Sequence, residues 1–437
     1  MKHPLLKQLA TLLLCCFFFT CSIAQAVPDT TAVDIARITG DSSMLSRSLM
    51  YVDKSGSMTI PDLLQQQFSP LTALKDRKKI APDMVTYSFA LKMRLANGSG
   101  SRHLIYLYPG SYFRTIQLFR INAGMLTPIT DNEVTGYIKL SLDPGETTDV
   151  LLYVKPMKND FNVFNLRLIS QDFMEDYLSN SVSARSDVHI FGMVLSGIVM
   201  MMILFMLTNY LLRPRPEFLY NALYSLCMFL LIFFNSYLGR RTTVFAGIYF
   251  SYLDFFLLVT GVIFYISFTR KFIGTRESYA ATDRILRYSE YFVLFLLGIY
   301  TYLHFFTSTY LPQFYLENIM KFLILAIGVF FIFFAAKQRD PLLNYLAAGN
   351  AMLVLFSSIS LALIIFNVSN RSLFSNSLFY YYIGIILELV LFLLGLTYKN
   401  RGELIRGIKE QEALKLEAEK KEFETQLAVI KAQQEER

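Results

Sequence analysis

The sequence predicts a three-part membrane protein: an exported all-β sandwich, a seven-helix transmembrane bundle and a C-terminal helix with coiled-coil character. Three observations predict it. Short β-patterned runs occupy the first part of the chain, and seven apolar runs long enough to cross a bilayer follow. After Tyr398 the composition flips to Glu, Lys, Gln and Ala, a strongly helix-forming mixture. The expected segments are 1–26, a signal peptide; 27–188, the sandwich; 189–398, the bundle; and 399–437, the terminal helix.

The first segment has the three parts of a secretory signal. Lys2, His3 and Lys7 form a basic start, Leu12 to Phe19 a short apolar run, and Ala24-Gln25-Ala26 a small-x-small cleavage pattern. Cys15, Cys16 and Cys21 lie within it, and Cys227 lies in an apolar run. The exported segment therefore has no cysteine, and a hydrophobic core must hold it together.

Val27 to Arg47 is polar without a sustained period and reads as a lead-in. Beyond it, strands are expected at Ser48–Val52, Tyr87–Leu95, His103–Tyr108, Phe113–Ile121, Gly136–Leu142, Asp149–Val154 and Asn162–Ile169. Asp53 to Gly56, Asn97-Gly98 and Pro109-Gly110 read as turns. A short helix from Thr59 to Phe68 interrupts the strands, with Thr59 at its cap, Pro61 in its first turn, and Leu63, Leu64 and Phe68 on one face. Short strands at regular spacing favour a sandwich. Tyr106, Tyr108, Tyr112 and Phe113 cluster in sequence and are the candidate ligand-binding residues, able to stack on a sugar ring. The bland alternative is that they fill the sandwich core, since half of a strand's residues point inward.

The composition of 54% hydrophobic, 15% aromatic and 17% charged residues is apolar beyond the soluble norm, and the excess sits in the second half. The expected spans are roughly 190–211, 220–237, 249–268, 288–306, 316–336, 342–366 and 377–397. An exported N-terminus and an odd number of spans put the C-terminus in the cytosol. Basic residues agree, by the rule that cytosolic loops carry the excess of Lys and Arg. Arg213, Arg215, Arg270, Lys271, Arg276, Arg284, Arg287, Lys337, Arg339, Lys399, Arg401, Arg406 and Lys409 fall on the expected cytosolic side. Arg240, Arg241 and Arg371, with Lys321 near a span end, fall on the other. The formal charge of +7 thus follows topology, and nucleic acid is not an expected partner. Ionisable residues inside spans are costly, so Glu388 and Asp254, with Lys321 as partner, are the intramembrane switch candidates. Their bland alternatives are a hydrogen bond within the bundle for Glu388 and a headgroup position for Asp254. The spans read as mostly continuous, unlike the broken helices of transporters.

Phe191-Gly192 through Gly197 and Asn209, then Arg213-Pro-Arg-Pro-Glu-Phe-Leu-Tyr220-Asn-Ala-Leu-Tyr224, and Gly384-Ile-Ile-Leu-Glu388-Leu-Val-Leu-Phe392, resemble the bacterial seven-transmembrane receptors with diverse intracellular signalling modules. Tyr51-Val52-Asp53, the Thr59–Phe68 helix and the Leu142-Asp-Pro-Gly145 turn resemble the second type of extracellular domain of that family, a jelly-roll-like sandwich. The resemblance implies a receptor in the bacterial inner membrane that senses an extracytoplasmic small molecule or glycan.

In the last segment Leu416, Phe423 and Ile430 repeat every seven residues, with Ala413 and Leu427 between them, a seam for a parallel homodimer. Leu404, Ile405 and Ile408 stand in a different phase, which suggests a stutter. A solvated single helix is the alternative. In the receptors it resembles, such helices lead into a histidine kinase, a cyclic-di-GMP cyclase or another output domain. Tyr398 to Arg437 has neither histidine nor aspartate to take a phosphoryl group and no glycine-rich loop for ATP. His3, His103, His189 and His304 form no metal-spaced cluster. The expectation is a non-enzymatic receptor without cofactor or metal, with a separate cytosolic protein as output partner. A truncated kinase or cyclase receptor, and a transporter or envelope-binding protein, are the alternatives.

Overall fold

The computed structural model describes residues 32–56, 58–70, 79–122, 124–130, 136–160, 162–183, 186–239, 243–275, 279–338, 340–366 and 373–435. The expected signal peptide lies outside them. By its internal contacts the chain divides into a unit built of strands and a helical unit; Ala81–Thr86 and Met157–Asn162 group with the latter, beside Glu175–Arg437.

Among the described residues the strands are β1 (Val33–Asp34), β2 (Asp41–Ser43), β3 (Leu49–Asp53), β4 (Ser69–Pro70), β5 (Ser88–Ala96), β6 (His103–Ser111), β7 (Phe113–Asn122), β8 (Met125–Ile129), β9 (Ile138–Leu142), β10 (Thr147–Pro156) and β11 (Val163–Ser170). One sheet runs β4-β3-β5-β10-β7-β8, with β1 added parallel to β5; the other runs β2-β11-β6-β9. Apolar residues at every second position of β5 (Phe89, Leu91, Met93 and Leu95) are buried, as are Val150, Leu152 and Val154 of its neighbour β10. The two sheets meet where Phe89 packs edge-on against Phe164 of β11, with ring centroids 5.0 Å apart. Each such side chain, fully buried, contributes about 1.5–3 kcal/mol. The other face of the β5–β10 pair is covered too. Leu63, in the short helix Ile60–Leu63, packs with Ala90 and Leu151.

Three local expectations change. The polar lead-in contributes β1 and β2, and its Ile35 and Met44 are fully buried. The expected helix from Thr59 to Phe68 is confined to Ile60–Leu63, and Thr59 spends its hydroxyl on the Asp62 carboxylate rather than on a backbone N–H. Pro109-Gly110 is not a turn but part of β6. Gly110 has φ +132°, and a Cβ there would lie 2.1 Å from the Val163 carbonyl oxygen, so the glycine serves close strand approach.

Acidic side chains tie neighbouring strands and a turn together. Arg94 pairs with Asp149 across β5 and β10 at 2.7 Å, with Lys92 at 3.4 Å. The Arg94 hydrogen bond, aided by Lys92, outweighs burial and holds the Asp149 carboxyl below its ordinary value of 3.8. For Asp53, burial pushes upward but is outweighed by hydrogen bonds from the Ser55 hydroxyl (2.6 Å) and the Met58 N–H (3.1 Å), so its carboxyl also titrates low. A depressed carboxylate stabilises the fold above its unfolded value, and that contribution is lost as pH falls through the folded one. We therefore expect hydrogen-exchange protection in β5 and β10, corrected for intrinsic rates, to fall as pH drops below 3.8. Asp149→Asn should show weaker protection at neutral pH and a shallower decline. An identical decline in the variant would remove Asp149 from the account.

The seven apolar runs form seven helices: Ser186–Leu212, Pro216–Leu238, Val244–Ile273, Ala280–Phe306, Leu311–Gln338, Pro341–Ile365 and Ser377–Glu435. All seven are long and apolar enough to cross a bilayer, so the chain is a multi-pass membrane protein. The third is not α-helical throughout. A π-helical turn at Tyr249–Leu253 separates Val244–Ile248 from Asp254–Ile273. The seventh and the expected terminal helix are one element of 59 residues, unbroken through Leu404–Ile408.

Candidate functional site

Glu217, Asn221 and Tyr224 in the second helix are four and three residues apart, which places them on one face. All three are buried, and Asn221 is fully so. Tyr265 and Thr269 make a similar face on the third helix, Asn350 adds a polar group from the sixth, and Glu388 and Lys399 belong to the seventh. Together these residues form a polar column among the apolar side chains of the bundle.

Glu388 is 1% exposed and accepts a hydrogen bond from the Tyr224 hydroxyl, 164 residues away in sequence. Asn350 Nδ2 donates to the Tyr265 hydroxyl at 2.6 Å and to the Leu346 carbonyl at 2.9 Å. The Tyr224 and Tyr265 rings lie 5.7 Å apart, and Tyr265 stacks on Phe392, one turn beyond Glu388, at 5.6 Å. Gly349 lets the sixth and seventh helices approach: a Cβ there would sit 3.3 Å from the Glu388 carbonyl oxygen and closer still to the Phe392 ring. Neither polar atom of the Asn221 side chain has a hydrogen-bond partner among the described residues.

Further along the seventh helix, Lys399 ties three helices together. Its Nζ lies 3.1 Å from Glu217 Oε1, donates to the Phe272 carbonyl at 2.7 Å and sits 5.3 Å from the centre of the Phe272 ring. That carbonyl belongs to the last turn of the third helix, where a cation satisfies a group with no intrahelical donor. One turn on, Glu403 pairs with Arg215, just before the second helix. Glu388, Phe392, Lys399 and Glu403 thus fasten one stretch of the long helix to the bundle, immediately before the helix leaves it. The third and fourth helices have their own clamp: Arg270 contacts Asp283 at 3.0 Å and Glu290 at 2.6 Å, and Thr275 and Arg287 also donate to Asp283.

The other expected site residues fall elsewhere. Asp254 opens the α-helical segment after the π turn and accepts from the Phe255 N–H at 2.6 Å. Lys321, expected to pair with Asp254 or Glu388, instead bonds Glu317 one turn back at 2.6 Å, because an i,i+4 partner on the same helix is always within reach. Tyr106 and Tyr108 alternate with the core residues Ile105 and Leu107 and so point to the opposite face of β6, where both are below 10% exposed. Tyr108 stacks on Tyr137 there at 4.9 Å. Phe113 packs on Phe164 at 5.3 Å. Tyr112 alone connects β6 in one sheet to β7 in the other, and takes φ +65° at that corner. Ala413, Leu416 and Phe423 are exposed, while the side chains of Leu427 and Ile430 lie outside the described residues.

Reading the sequence missed Tyr224, Tyr265, Asn350, and the role of Lys399 and Glu217. The usable signal was the spacing of Glu217, Asn221 and Tyr224 inside an apolar run, which is one buried helical face.

No curated protein matches the chain. The family model described as 7TM diverse intracellular signalling matches residues 189–399, the stretch that holds the polar column and all of its partners. With its seven apolar helices in that order, the helical region is similar to the seven-transmembrane region that this family model describes.

Proposed function

We propose that the chain is a receptor of the bacterial inner membrane that carries a ligand signal from the exported sandwich, through the bundle, to a dimeric cytosolic helix. One observation carries this reading. The helix that receives the Tyr224 bond and the Lys399 clamp is the same unbroken helix that runs on to Glu435, so a shift at Glu388 moves the rod as one body. A ligand drives such a shift only by binding two states unequally.

The placement of Lys and Arg supports a cytosolic rod and an exported sandwich. The ligand is a small molecule or glycan, and the output is a separate cytosolic protein. Leu404, Ile405, Ile408, Leu416 and Phe423 are 45–63% exposed on the lone helix, apolar surface that a second copy would cover through Ala413, Leu416, Phe423, Leu427 and Ile430. This reading assigns no reaction to the chain.

Cysteine crosslinking in membranes tests it. Leu416→Cys and Phe423→Cys should each crosslink between copies, with a yield that changes when envelope extract is added. A control at Lys421, whose side chain pairs with Glu417 on the outer face at 3.0 Å, should crosslink poorly. Equal yields at all three positions, or none at any, would sink the dimeric rod.

A further inference from the structure

The helical unit contains a second polar feature that the column does not use. Phe250 and Ser251 of the π turn, with Asp254 directly after it, line a small cleft that is partly open to solvent. Such π turns recur at functional sites because the extra residue displaces side chains from the regular helical face. Glu317 and Asn318 line the cleft from the fifth helix and Tyr300 from the fourth.

Its charges are unequal: Asp160, Asp254 and Glu317 stand against Lys158 and Lys321. Both lysines are already engaged. Lys321 pairs with Glu317, and Lys158 donates to the carbonyls of Leu303 (3.3 Å), His304 (2.9 Å) and Thr307 at the end of the fourth helix. Asp254 makes no ion pair among the described residues; its carboxylate accepts only from its own helix. Phe250, Tyr300, Tyr310 and Phe314 supply aromatic surface around it. A carboxylate with no cation in direct contact, set beside an aromatic wall, is the chemistry that recognises an ammonium group, by charge on one side and by ring faces on the other.

We propose that this cleft binds a small molecule bearing an ammonium group, with the charge on Asp254 and the apolar body against the aromatic wall. The site is independent of the relay proposed above and would exist in the bundle whatever the rod does.

The chain contains no tryptophan, so Phe314→Trp places a single indole in the cleft, which can be excited apart from the tyrosines. The full chain carrying it, in lipid nanodiscs, is titrated with benzylamine, benzyl alcohol and benzoate, which share a ring and differ in charge. Isothermal titration of the unsubstituted chain with the same three compounds checks that the new indole does not itself create or block the site. Benzylamine should give a saturable signal, with benzyl alcohol and benzoate weaker by about tenfold or more. Asp254→Asn in the Phe314→Trp background should lose about tenfold of the benzylamine affinity while keeping its thermal transition. Equal binding of the amine and the alcohol, or no saturable benzylamine binding by either method up to millimolar concentration, would overturn the proposal. Should Asp254→Asn fail to fold, the three-compound series on the unsubstituted chain still decides the matter.

Discussion

Lys399→Met is expected to destabilise the bundle by about 3 kcal/mol, because it leaves the Glu217 carboxylate buried without its cation. The Glu217 side chain is 8% exposed and that of Lys399 18%, so neither gains much from solvent. The Phe272 carbonyl loses a donor at the same time. Thermal exposure of Cys227, which is buried in the second helix, reads the effect through its reaction with a fluorogenic maleimide, in a preparation lacking residues 1–26 and their three cysteines. The double variant Glu217→Gln, Lys399→Met should recover most of the loss, since removing both charges is far less costly than stranding one. A single variant as stable as the parent would show that water reaches Glu217 freely and that the clamp contributes nothing. The crosslinking yield at Leu416→Cys should also respond less to envelope extract in the single variant, because the long helix then loses its ion pair to the second helix and its hydrogen bond to the third.

Glu388→Ala is expected to cost about 2 kcal/mol, most of it from the Tyr224 hydroxyl left without an acceptor in a dry interior. Tyr224→Phe, the converse, should cost a similar amount by stranding the carboxyl. Because the Tyr224 hydroxyl and the Glu388 carboxyl hydrogen-bond each other, the losses should not add, and the double variant should fall short of the sum by about 1–2 kcal/mol. Additive losses would mean that each side chain acts through packing alone. Glu388→Gln separates charge from hydrogen bonding: it can still accept from Tyr224 and should keep most of the stability. Loss of the crosslinking response in Glu388→Gln, with stability kept, would mark the carboxyl as part of the switch; a kept response would mark it as a structural bond between the second and seventh helices.

The parts of the molecule legible in the sequence are those whose cause is local. Each span is a run of apolar residues that must be helical in hydrocarbon, where no water satisfies its backbone, so all seven were readable from composition alone. Strands with a sustained period of two, such as Ser88–Ala96, were readable for the same kind of reason. Two- and three-residue strands carry no period, so Val33–Asp34 and Asp41–Ser43 passed for a polar lead-in until their pairing with β5 and β11 was seen. Pro109-Gly110 misled because glycine serves both turns and close strand approach, and only the neighbouring carbonyl of Val163 tells which.

What the sequence alone determined, then, is the order of a sandwich, seven spanning helices and a charged terminal helix, because hydropathy and period act over a few neighbouring residues. Glu388 was visible as an oddity in an apolar run, but its partner Tyr224 was not, for nothing local joins positions 164 residues apart. The partner of Lys321 was local, and the more distant pairing expected for it gave way to Glu317. The tertiary structure decided which buried polar groups meet. A charge or hydroxyl removed from water must find its complement wherever helix packing brings one, and that packing is set by the whole bundle at once.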